Sequence, residues 1–237
     1  KGEMFCASDV PALLEYTAQA VYLEDGDRAE ITRAGFSVFD SGGKKTRRSS
    51  HTITWNASMA EKGGYPHFML KEIFEQQSKI REALAADVER AVALLKGQPQ
   101  VAVVACGTSY YAGLVFKSLL QSRMGRPCEV IYGSEFAYVR TGNERCIVAI
   151  SQSGETADTL SAVRLAKKSG AKIIAVTNVA GSSLCRESDA NVMIGAGPEL
   201  AVVATKSFTC QLAVLMKIAL RLSGEKKKIA GLSSLSL

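Results

Sequence analysis

Two short segments combine glycine with hydroxyl side chains in a way that suits an anion. One runs Cys106-Gly107-Thr108-Ser109, the other Ser151-Gln152-Ser153-Gly154-Glu155-Thr156. Each follows a continuous apolar run, Val101–Ala105 and Cys146–Ile150, and each precedes a stretch with helical spacing. A strand that turns into a helix at such a point presents unpaired N–H groups and the positive end of the helix dipole. Those groups can hold phosphate without a lysine or a metal. The hydroxyls of Ser109, Ser151, Ser153 and Thr156 and the amide of Gln152 would add donors, and Gly154 would let the backbone approach the ligand closely. Helix capping accounts for one hydroxyl per helix. It does not account for so many polar side chains in one loop, so the segments read as a phosphate cradle.

Other chemistries find less support. No Gly-x-x-x-x-Gly-Lys-Ser/Thr loop and no Gly-x-Ser-x-Gly elbow is present. Gly195-Ala196-Gly197 has Leu200 where a dinucleotide fingerprint needs its third glycine. His51 and His67 lack metal-ligand spacing and read as linker residues. Cys106 stands at a helix start, where a thiolate could be activated, but its apolar neighbours and the absence of a nearby histidine point to a structural role. Glu155 is the obvious acid beside the cradle, and capping or ion pairing is its expected task. The segment Glu199–Thr209 brings one more helix start, with Lys206 placed either to face a ligand or to pair with Glu199. Trp55 stands alone in a polar stretch and reads as a packing contact.

These residues need a scaffold, and the apolar patterning supplies one. Short runs rich in Val and Ile recur at Val101–Cys106, Cys128–Tyr132, Cys146–Ile150, Lys172–Val176 and Asn191–Ile194. Unalternating runs of this kind are strands buried on both faces. Helical stretches lie between them, near Tyr110–Ser122, Glu135–Val139, Ala157–Ser169 and Ser183–Arg186, and a last helix spans Thr209–Leu222. The expected fold is therefore α/β, a doubly wound five-stranded parallel sheet with flanking helices. Ahead of it, Ile73, Ile80, Leu84, Val88, Val92 and Leu95 share one face of a single long helix that stops near Gly97. The first third differs. Val21–Leu23, Ala29–Thr32 and Phe36–Phe39, bounded by Asp/Gly turns, read as a partial antiparallel β segment, and Thr46–Pro66 reads as a linker. So few strands do not bury a core alone.

Composition sets the outer limits. The 237 residues are 47% hydrophobic and 22% charged, with a net charge of +6, as in ordinary globular proteins. The basic clusters Lys44–Arg48 and Lys226–Lys228 form no continuous face with interleaved aromatics, so no nucleic-acid partner is expected. No apolar run reaches a bilayer-spanning length, and Lys217 interrupts the longest. The opening Lys1-Gly2-Glu3 lacks a signal-peptide core, and a start without Met suggests that residues precede it. The six cysteines include no close metal-binding pair and fit a reducing compartment, so the Asn56-Ala57-Ser58 acceptor is taken as chance.

The segments ACGTSYYAG, AISQSGETADTL, NVAGSSLCRESD and ELAVVATKSFTCQL resemble the first sugar-isomerase (SIS) half of the glutamine–fructose-6-phosphate aminotransferase family. YLEDGDRAEITR, FSVFD and HFMLKEIFEQ are similar to the end of that family's glutaminase domain and the hinge after it. The resemblance implies a division into residues 1–55 (glutaminase remnant), 56–72 (hinge) and 73–237 (first SIS domain). It implies a cytoplasmic homodimer with no cofactor, acting in the transfer of glutamine ammonia to fructose 6-phosphate to give glucosamine 6-phosphate. By motif, Ser109, Ser151, Gln152, Ser153 and Thr156 would hold the phosphate, and Thr108, Val202 and Ala204 would line the sugar pocket. Ala204 stands where the family commonly has Ser, and Gln77 where its hinge usually has Pro. The family's glutamine nucleophile and its isomerase base would lie outside the chain, which on this reading binds sugar phosphate but carries no catalytic residue. A non-catalytic SIS sensor and a free-standing SIS isomerase are the alternatives.

Overall fold

The computed structural model describes residues 3–7, 10–13, 16–53, 61–139, 146–225 and 231. Trp55, the Asn56-Ala57-Ser58 acceptor and Lys226–Lys228 lie outside the described residues. The chain forms two compact units, Lys1–Gly64 and Tyr65–Leu237.

The first unit is built from short antiparallel strands. β2 (Arg28–Thr32) and β3 (Gly35–Phe39) form a hairpin through the two-residue turn Arg33-Ala34, and β4 (Lys45–Thr46) pairs with β3. A separate ladder joins β1 (Gln19–Val21) to β5 (Ser50–Thr52). β5 corrects the expectation of a linker there. Its polar Ser-His-Thr sequence carries no apolar alternation, yet the Gln19 side chain donates to Thr52 Oγ1 at 2.9 Å and accepts from Ser50 Oγ at 3.0 Å. Among the described residues of this unit, only Val38 is buried. Polar contacts do much of the ordering. Arg48 grips Asp27 through Nε and Nη2, both at 2.8 Å. That hydrogen bonding holds the Asp27 carboxyl well below its usual range, at about 2.

The second unit carries the parallel sheet, in the order β10-β9-β8-β6-β7. Its strands are β6 (Val101–Ala105), β7 (Cys128–Tyr132), β8 (Cys146–Ser151), β9 (Lys172–Thr177) and β10 (Ala190–Met193). Every residue of β6 and β8 is buried, which is why these runs show no alternation. Val101, Val103 and Ala105 point to a layer containing α1 (Phe68–Ala85), α2 (Glu89–Leu95), α3 (Thr108–Met124) and α6 (Lys206–Leu222). Ala102 and Val104 point the other way, to α4 (Ala157–Lys168) and α5 (Ser183–Glu187). Ile147, Ile150, Ile173 and Ile174 are fully buried. Each such side chain stabilises the sheet by roughly 1.5–3 kcal/mol, which makes the strand ends rigid points of departure for the loops. Cys128, Cys146, Cys185 and Cys210 are free thiols within this packing. Among the described residues, no helix is long and apolar enough to cross a membrane.

Two expectations need correction. The single long helix is two, because the chain leaves helical geometry at Ala86 (ψ 143°) before α2 begins. Asp87 Oδ1 accepts the Glu89 N–H at 2.9 Å, an Asx turn that competes with the helix. Lys217 Nζ, from α6, donates to the freed carbonyls of Leu84 and Ala86, both at 2.7 Å. The apolar face continues across the break, so periodicity alone could not reveal it. The helical stretch expected at Glu135–Val139 is a 3-10 turn at Gly133–Glu135 followed by further turn residues.

Candidate functional site

Winding of the sheet starts at β6, passes to β7 on one side, then reverses to β8 on the other. In open α/β sheets such a reversal leaves a crevice beyond the strand ends, where ligands bind. β6 and β8 are direct neighbours there, with Ala105 opposite Ile150. The two polar loops singled out in the sequence therefore leave the sheet side by side. Ser109 (7% exposed) and Ser151 (3%) are buried, Gln152, Ser153 and Thr156 are half-buried, and Thr108 is exposed as the first residue of α3.

The hydroxyls do not do what capping would ask of them. The N-cap of α3 is Gly107, at φ +57°, and that of α4 is Thr156, whose side chain makes no cap hydrogen bond. Thr156 Oγ1 instead meets Ser151 Oγ at 2.8 Å, and Ser151 Oγ accepts the Gly154 N–H at 3.0 Å. The Glu155 N–H donates to Ser153 Oγ at 3.1 Å. The first intrahelical bond of α4 runs from the Leu160 N–H to the Thr156 carbonyl, so the amides of residues 157–159 have no carbonyl of their helix to meet.

The loop is held from behind. Gln152 O accepts the Asn178 N–H at 3.0 Å and Thr177 Oγ1 at 3.3 Å, and Gly154 O accepts the Leu184 N–H at 3.0 Å. Glu155 Oε1 accepts the Ser183 N–H at 2.7 Å, so this carboxylate serves the start of α5, in the capping role expected of it. Gly154 adopts φ +70° with its α-carbon pressed on Ser182: a Cβ there would lie 2.1 Å from Ser182 Oγ and 3.0 Å from Thr177 Oγ1. On the other side, Cys106 Sγ accepts a hydrogen bond from Thr159 Oγ1 at 3.6 Å, a packing role. Tyr110 stacks on Tyr132 with centroids 3.9 Å apart. Desolvation, with Tyr111 beside it, pushes the Tyr132 phenol up.

Val202 and Ala204 lie on the loop between β10 and α6, Val202 fully exposed and Ala204 half-buried. Asn178 ties this loop to the cradle. Its N–H meets Gln152, while its side chain donates to Gly197 O at 2.7 Å and accepts the Ala196 N–H at 2.9 Å. Lys206 takes neither course foreseen for it. It is 2% exposed and pairs with Glu75 of α1, while Glu199 accepts from the Thr205 and Ser207 amides at 2.9 and 3.1 Å and caps α6. That cap also explains why α6 starts at Lys206, ahead of the expected Thr209. Gly195-Ala196-Gly197 opens no helix, which removes the dinucleotide reading. His51 lies in β5, edge-on to Tyr22, and His67 is the N-cap of α1 without a side-chain bond to it.

Sequence reasoning missed Asn178 and Glu72. Asn178 carried a usable signal, since it follows β9 directly and strand carboxyl ends are where such sites form. Glu72 carried none. It bonds the amides of Leu200 and Ala201 from 128 and 129 residues away.

Residues 94–221, more than half of the chain, match the SIS domain. The chain belongs to the SIS domain family. Over 228 residues the chain is 45% identical to the glutamine–fructose-6-phosphate aminotransferase of Thermotoga maritima, covering 91% of this chain and 38% of that protein. It is 46% identical to the enzyme of the same name from Thermococcus kodakarensis, covering 99% and 39%. The chain thus spans about two fifths of the length of these curated relatives. Among solved structures, the C-terminal domain of the Francisella tularensis aminotransferase superposes with a TM-score of 0.66 at 36% identity, over 73% of this chain and 54% of that one. A glucosamine-6-phosphate deaminase from Thermotoga maritima superposes with a TM-score of 0.61 at 26% identity, over 70% and 52%.

Proposed function

We propose that this chain is the sugar-phosphate-binding section of a glutamine–fructose-6-phosphate aminotransferase. Residues 1–55 are the end of a glutaminase domain, 56–72 a hinge, and 73–237 the first of two SIS halves. The ligand is fructose 6-phosphate or its product glucosamine 6-phosphate. Its phosphate rests on Ser109, Ser151, Gln152, Ser153 and Thr156, with the sugar against Thr108, Val202 and Ala204.

One observation carries the reading: at the switch point of the sheet, Ser151 and Thr156 bond to each other and leave the helix end uncapped. With Ser151 as the donor of that bond, a chain of polarised groups runs from the Gly154 N–H through Ser151 to Thr156. Thr156 then keeps its own proton for a phosphate oxygen, beside the amides of the first turn of α4 and its dipole. Cradle and dipole stabilise a dianion with no metal needed.

The chain's part in the reaction is to bind and orient. Glu155 is committed to the Ser183 N–H, which leaves it poorly placed as a base and disfavours a free-standing isomerase. Positioned acid–base groups contribute about 10²–10⁴-fold, so the chain by itself turns over sugar phosphate negligibly. We take the enzyme to be a homodimer in the cytoplasm, a compartment in which the buried free thiols would stay reduced.

Calorimetric titration with fructose 6-phosphate, and with fructose as control, tests the assignment. Binding is expected to require the phosphate. Ser151→Ala and Thr156→Ala each remove a hydrogen bond to a charged group, about 1.5–3 kcal/mol, which is roughly ten- to hundred-fold in affinity. Unchanged affinity in both variants would remove the cradle from the account.

A further inference from the structure

Glu72 is the least expected charged group in the second unit. It sits on α1, one turn in from the helix start, and is only 2% exposed. A buried carboxylate is costly unless hydrogen bonds compensate it. Here they come from a loop far away in sequence: Oε1 accepts the Leu200 N–H at 2.6 Å and the Ala201 N–H at 3.1 Å. Oε2 has no hydrogen-bond partner among the described residues. A carboxylate so placed adds little net stability compared with an apolar side chain, so its effect is geometric. It decides where residues 200 and 201 stand.

The same loop is held at two other points. Asn178 fixes Ala196 and Gly197, and Glu199 holds Thr205 and Ser207. Between these clamps Val202 is fully exposed and Val203 more than half exposed, with Ala204 half-buried beside them. The Asn178 clamp bonds Gln152 of the cradle through its own N–H. A continuous run of hydrogen bonds therefore passes from the phosphate loop through Asn178 to the loop that Glu72 anchors.

We propose that Glu72 is a positioning residue for sugar recognition: by anchoring the Leu200 and Ala201 amides, it sets residues 202–204 against the sugar while leaving the phosphate cradle unaffected. This rests on the sugar-phosphate reading above. It separates two functions of the site, an anion cradle built by the β8–α4 loop and a sugar wall held from α1.

The test compares fructose 6-phosphate with inorganic phosphate by calorimetry on the 237-residue chain and its Glu72 variants. Glu72→Ala leaves both amides without their acceptor. It is expected to weaken fructose 6-phosphate binding by about tenfold, the worth of one hydrogen bond, with phosphate affinity unchanged. Hydrogen exchange at Leu200 and Ala201 should quicken in parallel. Glu72→Gln retains an acceptor oxygen and should restore the selectivity, which a loss of folding stability alone would not explain. If the alanine variant does not fold, Glu72→Asp, with the carboxylate drawn back by one methylene, carries the same expectation. Equal losses for both ligands, or an unchanged preference for fructose 6-phosphate with faster exchange at residues 200 and 201, would overturn the positioning role alone. If the unsubstituted chain binds neither ligand, the sugar-phosphate reading itself falls, and the positioning role with it.

Discussion

Gly154→Ala tests whether the cradle loop has the rigid shape described. The glycine sits at φ +70°, and a Cβ placed on it would lie 2.1 Å from Ser182 Oγ and 2.6 Å from Ser182 Cβ. Left-handed backbone costs an alanine about 1–2 kcal/mol. Overpacking costs about 1–3 kcal/mol more, because Ser182 is fully buried and cannot swing into solvent. The expected penalty is about 2–5 kcal/mol, a large share of a typical net stability of about 5–15. The loop can relieve the overlap only by moving outward, which stretches the Gly154 N–H contact to Ser151 and the Leu184 N–H contact to Gly154 O. Urea unfolding followed by far-ultraviolet circular dichroism reads the stability, and calorimetry with fructose 6-phosphate reads the site. The double variant Gly154→Ala with Ser182→Gly removes the two shortest contacts, leaving Thr177 Oγ1 at 3.0 Å and the backbone strain, so it should regain part of the overpacking cost of about 1–3 kcal/mol. A Gly154→Ala chain as stable as the parent to within about 0.5 kcal/mol, at unchanged m, would refute the close approach of these two loops.

Two further outcomes follow from polar contacts elsewhere. Lys217→Met strips the carbonyls of Leu84 and Ala86 of their shared donor at the α1–α2 break. It should cost about 1–3 kcal/mol in the same urea experiment, whereas no change would mean that solvent already serves those carbonyls. In the first unit, Asp27 is held at about 2 by its hydrogen bonds to Arg48, against about 3.9 for an unfolded chain. Since the folded value is the lower one, the pair stabilises the unit fully above about pH 4 and loses that contribution as pH falls through 2. A carbon-13 titration of the Asp27 carboxyl should show a midpoint near 2, returning toward the ordinary range in Arg48→Met. A midpoint near 4 in the parent would deny the pair.

Much of the parallel sheet was legible because burial on both faces leaves a direct mark on composition. Val101–Ala105 and Cys146–Ile150 are apolar without interruption, and every residue of both runs is buried. The position of the two polar loops was legible for a related reason. Ligand loops in this topology follow strands immediately, so Gly107, Ser109, Ser151 and Thr156 stood next to strands already recognised. The exposed strands of the first unit were harder. β5 is polar and is defined by its partner β1, not by any pattern of its own.

The break between α1 and α2 shows the limit from the other side. Its apolar face is continuous, and the competing Asx turn at Asp87 with the carbonyl contacts of Lys217 is visible only in three dimensions. Lys206 offered two plausible partners in sequence and took a third, Glu75, because α1 and α6 pack together. Local chemistry thus determined the strands, the loops after them and the donors those loops carry, since hydrophobic periodicity and turn preference act over a few residues. Tertiary structure alone decided that Ser151 would bond Thr156 and leave α4 uncapped, that Asn178 would join two loops, and that Glu72 would reach across more than a hundred residues to hold one of them. A buried polar group takes whichever partner the packed helices and strands bring within about 3 Å, and which partner that is depends on the whole fold.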